Sequence, residues 1–305
     1  MNLTSPSVCG VAPVLTRAQA PLTCEVDALN EHGDLQRVSI PAERALTVYV
    51  DKRELVTLMT LGAHPELLVL GFLRNQRLVG SVHDIESITV DWDVGAAAVK
   101  TWQGIADIED KTARRVVTTG CGQGSVFGGL MDAVEAISLP AESGITQAQL
   151  YSLVNTIRLK ETTYKSAGSV HACALFTLAS AEPAMLLFVE DVGRHNAMDT
   201  IAGWMWMQGT QAAPPAGADA AAPLVFYTTG RLTSEMVIKS AQMGVPVVVS
   251  RSGITQMGHQ VAQSVGLCAI GRATNKRFFC YTHPERLKLM PGLATALPVP
   301  AQIPV

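Results

Sequence analysis

Residues 224–270 read LVFYTTGRLTSEMVIKSAQMGVPVVVSRSGITQMGHQVAQSVGLCAI, and the rhythm of this stretch decides the fold. Leu224-Val225-Phe226-Tyr227 is a short apolar run suited to a buried strand. Thr233 then caps a helix that runs through Met243 and stops at Gly244. Val245 to Val249 is the next strand, Thr255 opens a second helix, Gly266 closes it, and Leu267–Ile270 is a third strand. Strand and helix alternating through short connections predict a parallel βαβ sheet, with ligands near the carboxyl ends of its strands.

Working outward, two more apolar strands are expected at Val170–Thr177 and Met185–Val189. Before them, Thr146 and Gln149 have capping-box spacing, and Leu150, Leu153, Val154 and Ile157 recur at helical intervals. QGTQAAPPAGADAAAP, ending at Pro223, reads as a solvated loop insertion over 209–223. Further upstream, Ala45–Val50 and Leu55–Leu61 alternate as strands around an Asp51-Lys52 turn. A helical stretch starts at Pro65, and Ser87 to Trp102 forms a hairpin turning near Gly95. The chain therefore divides into a poorly ordered leader (1–40), a small α+β domain (41–112), a larger α/β domain (113–290) and a tail (291–305).

Composition narrows the function. The net charge is -3, without a basic block, which speaks against a nucleic-acid surface. The six cysteines are scattered, without a C-x-x-C pair, so zinc ribbons and a dense disulfide framework fit poorly. A basic, apolar secretory leader is absent, as is any run of about 18 apolar residues. The expectation is a cytoplasmic protein with reduced thiols and no membrane contact.

Cys121 is the most informative cysteine. It follows the strand-like Arg114–Thr119 and sits among Gly120, Gly122 and Gly124. Glycines free the backbone to turn N–H groups toward an anion, and a thiolate or persulfide is one. The alternative is a glycine-rich turn with an incidental cysteine. Glu190-Asp191-Val192-Gly193-Arg194-His195-Asn196 follows a strand and opens a helix. Arg194 and His195 there suit phosphate or pterin contacts, while Asp191 and Asn196 equally suit a salt-bridged helix start. Arg231 and Ser234 lie at the next helix start, a place where anions bind. Arg272-Ala273-Thr274-Asn275-Lys276-Arg277 reads either as a solvated basic turn or as an electropositive rim for a pyrophosphate. His171, Cys173, Cys268 and Cys280 read as residues of apolar strands.

Several segments together resemble the formate dehydrogenase accessory sulfurtransferase family, often written FdhD. They are LVTLMTLGAHPELLVLGFL (55–73), EDVGRHNAMD (190–199), TTGRLTSEMVIKSAQMGVPVV (228–248) and GRATNKRFFCYTHPERL (271–287). The resemblance runs from about Pro41 to Leu287. It implies a cytidine-deaminase-like, three-layer domain with a mixed or parallel sheet, plus the small N-terminal α+β domain, assembled as a homodimer. It also implies an activity. A cysteine desulfurase passes sulfur to Cys121 as a persulfide. The protein hands that sulfur to the molybdenum cofactor carrying two molybdopterin guanine dinucleotides, before the cofactor enters the catalytic subunit of formate dehydrogenase.

On this reading Cys121 is catalytic. The family's cofactor-contact segment falls on Arg272, Ala273, Thr274, Asn275, Lys276 and Arg277, and Arg194, His195, Arg231 and Ser234 complete the contact set. The deaminase H-x-E and P-C-x-x-C signature is missing, so no zinc is expected. Two departures stand out. The family's C-x-x-C loop has Gly124 at its fourth position here, and its Thr-Gly-Gly before the histidine is Ala167-Gly168-Ser169. A single thiolate still suffices to accept and release sulfur. A cofactor-holding chaperone without sulfur chemistry is the competing reading. A hydrolase using His195 and Asp191 is a third.

Overall fold

The computed structural model describes residues 12–105, 116–117, 124–125, 137, 139–140, 143–160, 162–209 and 223–294. From residue 12 onward the expected leader is corrected by regular structure. Strand β1 (Val14–Leu15) pairs in parallel with Ser87 and Ile88. β2 (Thr23–Leu29) and β3 (Leu35–Pro41) form an antiparallel hairpin. In that hairpin Cys24 faces Ile40, Val26 faces Val38, and Asp27 faces Arg37. Cross-strand apolar and opposite-charge pairs of this kind support a ribbon. The Asn30 side chain accepts from the backbone N–H groups of His32 and Asp34, both at 2.9 Å, and shapes the turn. Charged residues at the alternate positions had concealed this pattern.

The expected strands and helix of the N-terminal unit are present. β4 (Arg44–Val50) and β5 (Arg53–Thr60) are antiparallel, α1 spans Pro65–Asn75, and β6 (Ile85–Asp91) pairs with β7 (Ala96–Thr101). The sheet order is β1-β6-β7-β4-β5. Leu46, Val48, Leu58, Ile88 and Val99 from the sheet pack with Leu68, Val69, Phe72 and Leu73 of α1. Burying each such side chain contributes about 1.5–3 kcal/mol relative to leaving it in water.

The larger unit begins with β8 (Val116–Val117) and β9 (Gly124–Ser125), which pair antiparallel. β10 (Ile145–Thr146) leads into α2 (Gln147–Leu159), whose Thr146–Gln149 capping box forms as the sequence indicates. The short α3 (Thr163–Ala167) precedes β11 (His171–Thr177), β12 (Ala184–Asp191) and α4 (Arg194–Met207). Then come β13 (Leu224–Thr228), α5 (Ser234–Gln242), β14 (Val247–Ser250), α6 (Gln256–Ser264), β15 (Cys268–Thr274) and β16 (Arg277–Cys280). β17 (Leu287–Lys288) pairs in parallel with β10, and α7 (Pro291–Ala294) follows.

The main sheet is ordered β12-β11-β13-β14-β15-β16. β13, β14 and β15 are mutually parallel, as the βαβ reading requires, while β11, β12 and β16 run antiparallel to their neighbours. Period-two alternation divides the strands between two apolar layers. Cys173, Leu175, Phe226, Val248 and Ala269 point to one side, with Ile201 of α4, Met236 of α5 and Val261 of α6. Ala174, Phe176, Tyr227, Val249 and Ile270 point to the other, with Leu150, Leu153 and Val154 of α2. The result is a helix–sheet–helix sandwich.

α1 and α4 join the two units. A Cβ on Gly71 would lie 1.6 Å from the Asp199 carbonyl oxygen, and one on Gly203 would lie 2.0 Å from that of Leu67. Glycine on both helices is what lets their backbones touch. α4 is thus covered on two sides, by α1 and by the main sheet, and lacks a polar face.

Candidate functional site

A cavity of about 630 Å³ opens on the α2 side of the main sheet. Its floor is made by Ala172 of β11, Tyr227 of β13 and Ala273 of β15, and Phe188 of β12 and Val154 of α2 add apolar surface. Four cationic side chains come from three places. Arg158 and Lys160 come from the end of α2, Lys165 from α3, and Arg251 from the residue after β14. Lys160 Nζ lies 5.0 Å from the Phe188 ring centroid. The carboxylate in the wall is Glu190, which accepts from the Thr163 and Tyr164 N–H groups at 2.7 and 3.2 Å and so fixes the start of α3.

His171 also lines this cavity rather than lying wholly in the core. Burial, then the charges of Arg194 and Arg231, lower its pKa below the usual histidine value, favouring the neutral imidazole. Burial pushes the Tyr227 hydroxyl up to about 12, against the opposing pull of Arg251. The cavity therefore combines an apolar floor with a cationic rim, a combination that accepts a flat ring system carrying phosphates.

The basic segment 272–277 is not one loop. β15 continues to Thr274, Thr274 pairs with Arg277 at the start of β16, and Asn275-Lys276 make the turn. Ala273, Thr274 and Asn275 line the cavity. Lys276 lines a neighbouring cavity of about 360 Å³ with Tyr151 and Arg158, and its carbonyl accepts from the Tyr151 hydroxyl at 3.1 Å. Arg272 has a left-handed backbone (φ 50°) and stacks its guanidinium 6.0 Å from the Phe279 ring. Arg277 is exposed on β16.

Arg194, His195, Arg231 and Ser234 are not among the residues lining the larger cavity. Arg194 is buried against Gly230, where a Cβ would lie 2.7 Å from its Cδ. His195 is buried with its Nε2 3.6 Å from Glu235, which itself lies 3.5 Å from Lys239. Lys239 is fully buried and 2.9 Å from Asp199, whose other partner is the Asn75 side-chain amide at 2.7 Å. Asp199 and Glu235 hold the Lys239 ammonium charged against the cost of burial. Burial first, and then the Lys239 charge, lower the His195 pKa to about 3.

Asp191 receives hydrogen bonds from Thr60 Oγ1, Leu61 N, Gly193 N and Asn196 Nδ2. Asn196 Nδ2 also donates to the Met59 carbonyl at 2.6 Å. Asp191 and Asn196 thus pin the end of β5 to the start of α4 through hydrogen bonds, where the helix-start alternative expects a salt bridge.

Cys121 lies outside the described residues. In sequence it falls between β8 and β9, whose Val117 and Gly124 pair. The cavity residues that sequence reading missed are Arg158, Lys160, Lys165 and Arg251. Arg251 had a signal, because it directly follows a parallel strand, where such sheets bind ligands. The other three sit on an exposed helix end and a short helix, where lysine and arginine are ordinary. Among the described residues no group of three His, Cys, Asp or Glu side chains is placed to hold a metal ion. None of the described helices is long and apolar enough to cross a membrane.

The family model for FdhD/NarQ matches residues 41–288. The chain belongs to the FdhD/NarQ family. All four segments quoted for the resemblance fall inside that match. Among curated relatives, the "Sulfur carrier protein FdhD" of Bacillus subtilis (strain 168) is 31% identical over 261 residues, 85% of this chain and 94% of the relative. That of Staphylococcus haemolyticus (strain JCSC1435) is 28% identical over 260 residues, again 85% and 94%. A crystal structure of a formate dehydrogenase accessory protein from Desulfotalea psychrophila superposes with a TM-score of 0.67. It has 23% identity and covers 88% of this chain and 100% of that one, which shows the shared fold.

Proposed function

We propose that this FdhD/NarQ protein is a sulfurtransferase that loads sulfur onto the molybdenum cofactor bearing two molybdopterin guanine dinucleotides, before that cofactor enters formate dehydrogenase. The supporting observation is the cation-rimmed cavity at the carboxyl ends of β13 and β14, in a chain whose relatives are named sulfur carriers. Cys121 as thiolate attacks the terminal sulfur of a cysteine desulfurase persulfide, and the desulfurase cysteine leaves as thiolate. The Cys121 S–S bond then breaks as the outer sulfur passes to the reduced molybdenum substrate, which supplies the two electrons that make it a sulfide ligand, and Cys121 leaves as thiolate.

Arg158, Lys160, Lys165 and Arg251 hold substrate phosphates, the Phe188–Tyr227 side of the cavity faces a guanine or pterin ring, and Ala273–Asn275 close the edge. His171, neutral near pH 7, offers a hydrogen bond without adding charge. In this reading the helix–sheet–helix unit is a deaminase-like scaffold put to a different use, acting in the cytoplasm as a homodimer.

Gly124, standing where the family commonly has a second cysteine, favours a second reading, a chaperone that holds the cofactor without sulfur chemistry. Intact-protein mass spectrometry after incubation with a cysteine desulfurase and cysteine separates the two. The sulfur-carrier reading expects a gain of one sulfur mass, reversed by reductant and lost in Cys121→Ala. An unmodified wild-type protein would leave the chaperone reading in its place.

A further inference from the structure

We propose that Cys268 and Cys280 form a redox-active dithiol that closes reversibly to a disulfide across the β15–β16 hairpin. Ile270 is the cross-strand partner of Cys280, so Cys268, two residues earlier on β15, projects from the same face as its diagonal neighbour. The two sulfurs are 3.8 Å apart. Closing to a bond of about 2.05 Å asks for side-chain rotation with a slight approach of the two strands, since diagonal neighbours sit wider apart than most bridged pairs. Tyr281 N donates to the Ala269 carbonyl at 2.8 Å, and Thr282 Oγ1 both donates to the Leu267 carbonyl at 2.7 Å and accepts from Ala269 N at 3.1 Å.

The pair is asymmetric, and the asymmetry assigns roles. Cys268 is buried in the apolar layer, whereas Cys280 is half-buried on the edge strand of the sheet. The hydrogen bond between the thiols lowers the pKa of Cys280 and, with burial, raises that of Cys268. Cys280 is therefore the attacking thiolate and Cys268 the resolving thiol.

The oxidant is a low-molecular-weight disulfide. The Cys280 thiolate attacks one of its sulfurs, that S–S bond breaks, and one small thiolate leaves. Cys268 then attacks the Cys280 sulfur as its proton passes to the departing small thiolate, which leaves as the second small thiol. Two protein thiols lose two electrons and two protons, and the small disulfide is reduced to two thiols. The dithiol requires neither Cys121 nor an occupied cavity, so its failure and that of the sulfur-carrier reading are separately visible.

The test uses the full chain treated with glutathione disulfide, unfolded in denaturant, alkylated, digested and mapped by mass spectrometry. The expected result is loss of alkylation at both cysteines, a linked Cys268–Cys280 peptide, and its disappearance on reduction. Cys268→Ser should trap a lasting glutathione adduct on Cys280, and Cys280→Ser should leave Cys268 alkylatable only after unfolding. Wild-type protein whose Cys280 remains fully alkylatable after treatment, or carries glutathione without the cross-link, overturns the proposal.

Discussion

At the scale of single residues, the EDVGRHN segment shows how one run of polar side chains is divided among different tasks. Glu190 faces the cavity and holds α3. Asp191 and Asn196 tie β5 to α4. His195 is buried beside Glu235 and Lys239 on α5, with Arg194 on its own helix and His171 on β11 also acting on it. Its folded pKa, lowered to about 3, lies below the unfolded value near 6.5, so the unfolded chain binds the proton first as pH falls. The stabilisation from a neutral His195 is complete above about pH 6.5 and is lost progressively toward pH 3. We expect the folding free energy to fall by about 2 kcal/mol more between pH 7 and pH 5 in wild type than in His195→Gln, read from urea unfolding at both pH values. Equal losses in the two proteins would show that folded His195 takes up its proton as readily as the unfolded chain does, so that its pKa is not lowered. A sequence shows that such residues are polar and adjacent. It does not show which are buried, because that depends on Thr60 and Lys239, far away in the chain.

At the scale of elements, strands and helices were legible wherever an apolar period ran uninterrupted. β13, β14 and β15 and the helices between them follow the reading of residues 224–270 closely, and the capping box of α2 forms between the residues that spell it. The β2–β3 hairpin was missed because both of its faces are largely solvent-exposed, so its alternation carries charged residues. In the 272–277 segment the basic turn is present but shorter than the sequence suggests, because the flanking strand residues look like part of one basic run. The crossing of α1 and α4 was invisible for a different reason, since a glycine inside a helix is locally only a weak helix former. Its purpose appears when the partner glycine is beside it. Gly71→Ala and Gly203→Ala should each force the helices apart and destabilise the protein by about 3 kcal/mol or more, measured as a shift in the urea midpoint. An alanine at exposed Gly33, where nothing lies within 4 Å of a new Cβ, serves as the control for glycine replacement in general, although its positive φ carries a local cost. A Gly71→Ala protein as stable as wild type would refute the close crossing.

At the scale of the whole molecule, the N-terminal core and one of the two cores of the main sheet meet across α1 and α4, one helix from each unit. Phe72 and Leu73 of α1 belong to the N-terminal core, and Met198 and Ile201 of α4 belong to the core of the main sheet. The buried Asn75–Asp199–Lys239 chain crosses from one unit to the other. Neither unit can open without exposing the other's helix, so calorimetry should show one cooperative transition, with equal calorimetric and van't Hoff enthalpies. Two resolved transitions would mean that the units melt separately. The helix crossing also has a mechanical meaning. α4 is clamped between α1 and the sheet on the face opposite the cavity, so packed helix backs the cavity floor. A molecule seated there would meet a floor that cannot recede without disturbing two layers of helix. Under the proposed function, yielding to the substrate's shape would fall to the rim, to α2, α3 and the β15–β16 hairpin, rather than to the floor.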